Sequence, residues 1–155
     1  MTPAVNVAKK AQIKHRLHVY QHEASSESYG LEAADKLGLP PTQVFKTLVV
    51  SIDGKLLVVA VIPVSSMLSM KAVAKAAAGK KASMANAVDV ERSTAYVLGG
   101  VSPLGQKKRL QTFIDCSAEA LQKIYISAGR RGLEIELDPG DLRNLTQASF
   151  ATLTQ

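Results

Sequence analysis

The chain has no tryptophan, one cysteine and only 5% aromatic residues among 155. So few rings make a poor stacking platform for unpaired bases. The lone Cys116 rules out a disulfide within the chain, which agrees with a reducing compartment, and a cytoplasmic location is expected. No apolar run reaches bilayer length: Leu56–Val64 is only as long as a strand. The N-terminus lacks the long apolar core of a signal peptide. There is no repeat, low-complexity tract or linker, so one domain spanning 1–155 is expected.

What the chain does have is positive charge. The formal net charge is +6 and the isoelectric point about 9.5, which favours an anionic partner without naming it. Cys116 follows Asp115 with no local base to activate it, so it reads as a small packing residue rather than a nucleophile. His18, Tyr20 and His22 fall on one face of an alternating stretch, His15–His22. That face is either a strand edge turned to water or, much less well supported by ligand spacing, a metal site. Neither a metal nor a cofactor is expected.

Punctuation and periodicity outline the elements. Thr2-Pro3 starts a helix running to Lys14. Ser25–Tyr29 reads as a polar loop, and Gly30–Leu37 as a short helix stopped by Gly38. Pro40-Pro41 makes a turn, and Thr42–Val44 a single helical turn. Phe45–Ile52 and Lys55–Pro63 are the strongest strands, joined by the hairpin dipeptide Asp53-Gly54. Their apolar residues run almost unbroken, so both faces of this sheet should be covered. Ser69 caps a helix to Ala78, and Asn86 caps another through Arg92. Tyr96-Val97 leads as strand into a glycine-rich loop. Strands follow at Leu110–Asp115 and Lys123–Ala128, with one or two helical turns at Ser117–Gln122 between them. Gly129–Gly132 is a turn carrying two guanidiniums. Leu133–Leu137 alternates as a half-exposed strand. Asp138-Pro139 opens a helix to about Leu145, and Gln147–Leu153 closes as strand. The hairpin argues against a purely parallel sheet, so the fold class is α/β or α+β on a mixed sheet.

Two features carry possible chemistry. The loop Leu98-Gly99-Gly100-Val101-Ser102-Pro103-Leu104-Gly105-Gln106-Lys107-Lys108-Arg109 is neither helix nor strand. It is either a surface turn followed by a solvated basic run, or a turn whose amides at Gly100, Val101 and Ser102 face a phosphate or an oxyanion. It is not a P-loop, because Gln106 replaces the lysine and Lys107 the hydroxyl residue. The other feature is Lys46, between Phe45 and Thr47 at the mouth of the most apolar region. It either snorkels from a strand end or sits as a desolvated cation aimed at a phosphate or a reacting ester.

At these residues the chain resembles the YbaK family of aminoacyl-tRNA deacylases. The resemblance covers Met1-Thr2-Pro3-Ala4-Val5, Lys36-Leu37-Gly38-Leu39, Lys46-Thr47-Leu48-Val49-Val50, Val73-Ala74-Lys75-Ala76, Arg92-Ser93-Thr94, the glycine loop, and Arg131-Gly132-Leu133-Glu134-Ile135-Glu136-Leu137. It implies a barrel-like mixed-sheet core with surrounding short helices, related to the editing domain inserted in many bacterial prolyl-tRNA synthetases. It also implies a hydrolase or lyase acting in trans on mischarged Cys-tRNA(Pro), and on Cys-tRNA(Cys) as a further substrate. The implied partners are the tRNA acceptor end and prolyl-tRNA synthetase, with no membrane.

Residue by residue, Lys46 matches the family's essential lysine, and Gly99, Gly100, Val101, Ser102 and Pro103 match its substrate-binding loop. Tyr20, Thr47 and Ser127 with Ala128 and Gly129 match its pocket. Tyr29 departs from the phenylalanine expected in close relatives and adds a hydroxyl at the rim. In the implied mechanism the substrate's own cysteine thiol attacks its ester, the amides of Gly100 and Val101 hold the oxyanion, and Lys46 positions the terminal adenosine phosphate. Two other readings stay open: a water-driven deacylase of alanyl- or other small aminoacyl-tRNA, and a non-catalytic module binding tRNA or a nucleotide.

Overall fold

A computed structural model describes residues 1–23 and 29–155 of the chain. Most of the loop expected at Ser25–Tyr29 lies outside the described residues, while Tyr29 itself begins a helix. The elements run α1 (Pro3–Ala11), β1 (His15–Val19), α2 (Tyr29–Leu37), β2 (Phe45–Ile52), β3 (Leu56–Pro63), α3 (Met70–Ala76), β4 (Ala82–Met84), α4 (Ala87–Thr94), β5 (Gln111–Asp115), β6 (Ile124–Arg130), β7 (Leu133–Leu137), α5 (Pro139–Thr146) and β8 (Ser149–Ala151). A 3-10 turn at Cys116–Ala120 follows β5.

The strands form two sheets, one ordered β1-β7-β6 and the other β4-β2-β3-β5-β8. Both are combined with helices, as the α+β reading requires, but they do not close into a barrel. The β2–β3 hairpin pairs Phe45 with Pro63 through Ile52 with Leu56 in antiparallel register. β3–β5 and β5–β8 are parallel. A backbone link joins the sheets where Val44 bridges Tyr125 and the Tyr125 N–H donates to the Gln43 carbonyl at 3.0 Å.

The unbroken apolar run of the hairpin is explained by burial on both faces. Phe45, Val49, Val59 and Val61 pack against Ile126, Ile135 and α1 residues Val5 and Ala8 between the sheets. Val50, Val58, Ala60 and Ile62 pack on the opposite face with Val73 of α3 and Phe113 of β5. α2 lays Ala33 and Ala34 over Val44, Val64 and Tyr125, at the junction of the two sheets. That junction positions the site.

α1 is fastened at its start. Thr2 Oγ1 accepts the Val5 N–H at 3.2 Å and itself donates to the Ala128 carbonyl on β6. Removing a helix cap costs roughly 0.5–2 kcal/mol, and here the tie to β6 is lost with it. Thr2→Ala is therefore expected to destabilise the fold by about 2 kcal/mol in urea titration. Loss of less than about 0.5 kcal/mol would show that neither bond matters.

Several expectations are corrected. Tyr96-Val97 is not strand, because the chain turns out of α4 there and Gly100 N–H closes a tight turn on the Val97 carbonyl. β4 has no signal in the sequence, since Ala82–Met84 is too short and too polar to show a period. Cys116 is exposed, not packed, with its sulfur 3.6 Å from Thr152 Oγ1. Leu133–Leu137 is buried at Leu133, Glu134, Ile135 and Leu137, so it is not half-exposed.

Candidate active site

A cavity of about 260 Å³ opens where α2, the start of β2, the glycine loop and the β6–β7 pair converge. Its wall is mostly apolar, with a few polar groups aimed inward, which is the usual make-up of a small-molecule site. Of two other hollows, one of about 550 Å³ is rimmed mostly by polar and charged side chains such as Lys14, Arg16, Lys123 and Asp138, and one of about 170 Å³ lies between the basic run at Lys108-Arg109 and apolar residues such as Val7, Leu104 and Leu145.

β2 supplies Phe45, Lys46, Thr47 and Leu48 to the wall. α2 can approach this closely because its second residue is glycine: a Cβ at Gly30 would lie 2.4 Å from Val64 Cγ1. Burial disfavours the charged form of Lys46 and lowers its pKa below the ordinary lysine value. Among the described residues no carboxylate lies within ion-pair distance of it. Lys46 is thus a partly desolvated, unneutralised cation in the cavity wall.

Tyr20 stands on the β1 side, with its N–H bonded to the Gly132 carbonyl at 3.0 Å. Burial raises its hydroxyl above the usual tyrosine pKa. Thr47 Oγ1 is buried without a hydrogen-bond partner among the described residues. Ser127 faces the cavity from β6, its Oγ accepting the Gly129 N–H at 3.2 Å. Tyr29 contributes at the rim.

The glycine loop divides its residues between lining and support. Leu98, Gly99 and Val101 line the cavity. Gly99 has φ +88°, and a Cβ there would meet Arg131 Nε at 2.5 Å and the Tyr29 ring at 2.7 Å, so only glycine fits. Gly100, Ser102, Pro103, Ala128 and Gly129, all expected at the site, stand behind it. Gly100 gives its N–H to the Val97 carbonyl at 2.9 Å. Ser102 is fully buried, and its Oγ accepts the Leu104 N–H at 3.2 Å. Pro103 lines a different hollow. Ala128 and Gly129 form the irregular stretch of β6 and hold Thr2 and Tyr96. The Val101 N–H, like those of Gly99 and Ser102, donates to no backbone carbonyl among the described residues, and of these three residues Gly99 and Val101 line the cavity.

Three residues escaped the sequence reading. Tyr96 props the loop from inside, donating its hydroxyl to the Leu104 carbonyl at 2.6 Å, and burial pushes its pKa up to about 12. Glu134 lines the cavity at 5% exposure, and burial pushes its carboxyl up to about 8, so it is largely protonated at neutral pH. The alternation Leu-Glu-Ile-Glu-Leu hid it, since that pattern signals a wet face. Arg131 lies over the Tyr29 ring, 4.0 Å from its centroid, and donates from Nη2 to the Leu98 carbonyl at 2.8 Å. The histidines do not converge. His18 pairs with Glu136 at 2.9 Å, and His22 pairs with Glu32 at 2.7 Å. Burial opposes ionisation of Glu32, yet bonds from His22 and the Glu23 N–H hold its pKa below the usual value. That pair ties α2 to the chain leaving β1.

No reactive pair of nucleophile and base stands in the cavity among the described residues. Ser127 and Glu134 are opposite one another in the β6–β7 register, but no hydrogen bond joins them. Cys116 is not among the lining residues. What the described wall offers is a cation, an amide, a protonated carboxyl and apolar surface.

Residues 26–145 match the model of the aminoacyl-tRNA editing domain. The chain is 39% identical over 136 residues to EbsC of Enterococcus faecalis, whose name carries a provisional Cys-tRNA(Pro)/Cys-tRNA(Cys) deacylase assignment; the match covers 87% of this chain and 83% of EbsC. It is 27% identical over 133 residues to the uncharacterised YwhH of Bacillus subtilis, covering 86% and 82%. Among solved structures it superposes on the hypothetical protein APE2540 with a TM-score of 0.87 at 25% identity, covering 99% of both chains. It also superposes on a structure provisionally described as a trans-editing enzyme for prolyl tRNA synthetase, with a TM-score of 0.80, covering 100% of this chain and 99% of that one. At 20% identity the latter likeness speaks for the fold.

Proposed function

The chain belongs to the aminoacyl-tRNA editing domain family, and from that premise we propose that it removes cysteine from mischarged tRNA(Pro), and from tRNA(Cys), acting in trans and using the substrate's own thiol. The observation that carries this reading is the make-up of the cavity. It has groups that orient and stabilise charge, but no described side chain positioned to attack an ester.

A cysteinyl ester brings its nucleophile with it. The thiol sulfur bonds to the ester carbonyl carbon, the carbon–oxygen bond to the ribose breaks, and the thiol proton goes to the departing ribose hydroxyl. The acyl group leaves as a four-membered thiolactone, which water opens to free cysteine. Well-oriented intramolecular attack supplies up to roughly 7–11 kcal/mol of barrier reduction. The protein's task is then to fold the aminoacyl group into attacking geometry and to stabilise the oxyanion. The Val101 N–H is the donor suited to that oxyanion, and Lys46 adds a positive charge in a site of low dielectric. Gly100, Ser102, Pro103, Ala128 and Gly129 serve by shaping the loop and β6. The tRNA acceptor end is the macromolecular ligand, and prolyl-tRNA synthetase fits as the source of the mischarged substrate.

Glu134 favours a second reading. A buried carboxyl beside the cavity could, when ionised, activate water and extend the activity to alanyl-tRNA. The two readings separate on the amino acid, because alanine has no thiol. Pure protein is expected to clear Cys-tRNA(Pro) at least about a hundredfold faster than Ala-tRNA(Pro). Comparable rates would move the nucleophile to water, and binding without turnover of either would leave a non-catalytic module. Cys116→Ser is expected to keep kcat/KM within about twofold of wild type. A large loss in the folded variant would contradict the substrate-thiol route.

A further inference from the structure

Arg131 has no part in the chemistry above, yet its setting is that of a ligand-binding cation. It sits in the turn between β6 and β7 and joins the two other segments that frame the cavity mouth. Its guanidinium stacks on Tyr29 of α2, and its Nη2 holds the Leu98 carbonyl of the glycine loop. Its Nε is buried beside Gly99 with no hydrogen-bond partner among the described residues. No carboxylate among those residues lies within 4 Å of it. Its charge nevertheless reaches across the mouth, where it lowers the pKa of Tyr20 against the larger effect of burial.

The chemistry of the substrate says what such a cation is for. In an aminoacyl ester the amino acid has lost its carboxylate to the ester bond and carries only an ammonium. The only formal negative charge is on the phosphodiesters of the nucleic acid. A cavity of about 260 Å³ lies below the roughly 300–1,000 Å³ of typical ligand pockets. It suits the aminoacyl end, which leaves the nucleotide backbone crossing the mouth.

We propose that Arg131 grips the phosphate on the 5′ side of the terminal nucleotide, the role the resemblance implied for Lys46, which is left to serve the ester inside the cavity. The inference rests on the deacylase reading for its substrate. A guanidinium is a planar fork that matches phosphate oxygens, and two fixed contacts already set its plane. Orienting it beforehand reduces the ordering cost of binding. Gly99 is then required twice, as a left-handed residue and as the gap that admits the guanidinium.

The test separates phosphate binding from a purely structural clasp. Adenosine 5′-monophosphate and adenosine are titrated against wild type, Arg131→Met and Arg131→Lys by NMR or calorimetry. Wild type is expected to prefer the monophosphate by about tenfold or more. Arg131→Met should lose that preference while binding adenosine as before, and Arg131→Lys should regain part of it. With Cys-tRNA(Pro), Arg131→Met should raise KM about tenfold and leave kcat within about threefold. Equal weakening of both ligands would make Arg131 a structural clasp and overturn the proposal. A preference that survives in Arg131→Met, or is absent in wild type, would overturn it too. Should wild type prefer the monophosphate but not turn over Cys-tRNA(Pro), the phosphate site stands and the deacylase reading fails.

Discussion

Replacing Lys46 by alanine should lower kcat/KM for Cys-tRNA(Pro) by about 10²–10³-fold, the usual scale for losing one preorganised donor to an oxyanion. The loss should fall mainly on kcat, because the charge matters most when negative charge develops on the ester. Stability should not suffer. The Lys46 ammonium is held partly out of water with no carboxylate beside it among the described residues, so its charge is an uncompensated cost in the empty protein. Lys46→Met, which keeps the stem, should therefore melt at or slightly above the wild-type temperature while showing the same loss of rate. Burial lowers the Lys46 pKa, so the cation is lost at a lower pH than for an exposed lysine, and kcat should fall on the alkaline side accordingly. Near-wild-type turnover by a folded Lys46→Ala protein would remove Lys46 from the chemistry.

The parts of the fold legible in the sequence are those set by neighbours in the chain. Caps at Thr2, Ser69 and Asn86, the Asp53-Gly54 turn and the apolar hairpin all lie where local chemistry puts them. The cavity itself is legible only through resemblance, since Tyr20, Lys46, Val101 and Ser127 come from four separate segments. The misreadings share one cause, which is tertiary contact overriding a local pattern. Glu134 sits at a position that alternation assigns to water, but it is buried and turned to the cavity. Ser102 and Pro103, expected to bind substrate, are turned into the body of the protein and hold the shape of the loop. Arg131 reads in the sequence as one of two guanidiniums in a turn, because its stack on Tyr29 joins residues far apart in the chain.

Glu134→Gln should change the pH dependence of stability more than any other single substitution. In the unfolded chain this carboxyl titrates near 4.5, and in the folded protein burial pushes it up to about 8. Below pH 4.5 both states hold the proton. Between pH 4.5 and 8 the unfolded chain releases it while the folded protein keeps it, so stability falls as pH rises, and the fall is complete above 8. At about 1.4 kcal/mol per pH unit, the loss amounts to about 5 kcal/mol. Glutamine is neutral at every pH and has nearly the same shape. The variant should match wild type within about 1 kcal/mol at about pH 5 and exceed it by several kcal/mol at about pH 9, as read from urea midpoints. Equal midpoints under the alkaline condition would mean that Glu134 ionises in the folded protein as easily as in water. The same variant bears on mechanism. If the substrate's thiol is the nucleophile, Glu134 acts as a neutral wall, and the Glu134→Gln protein should clear Cys-tRNA(Pro) at nearly the wild-type rate at neutral pH. If water is the nucleophile, the ionised carboxylate is the base, and the substitution should abolish turnover across the pH range.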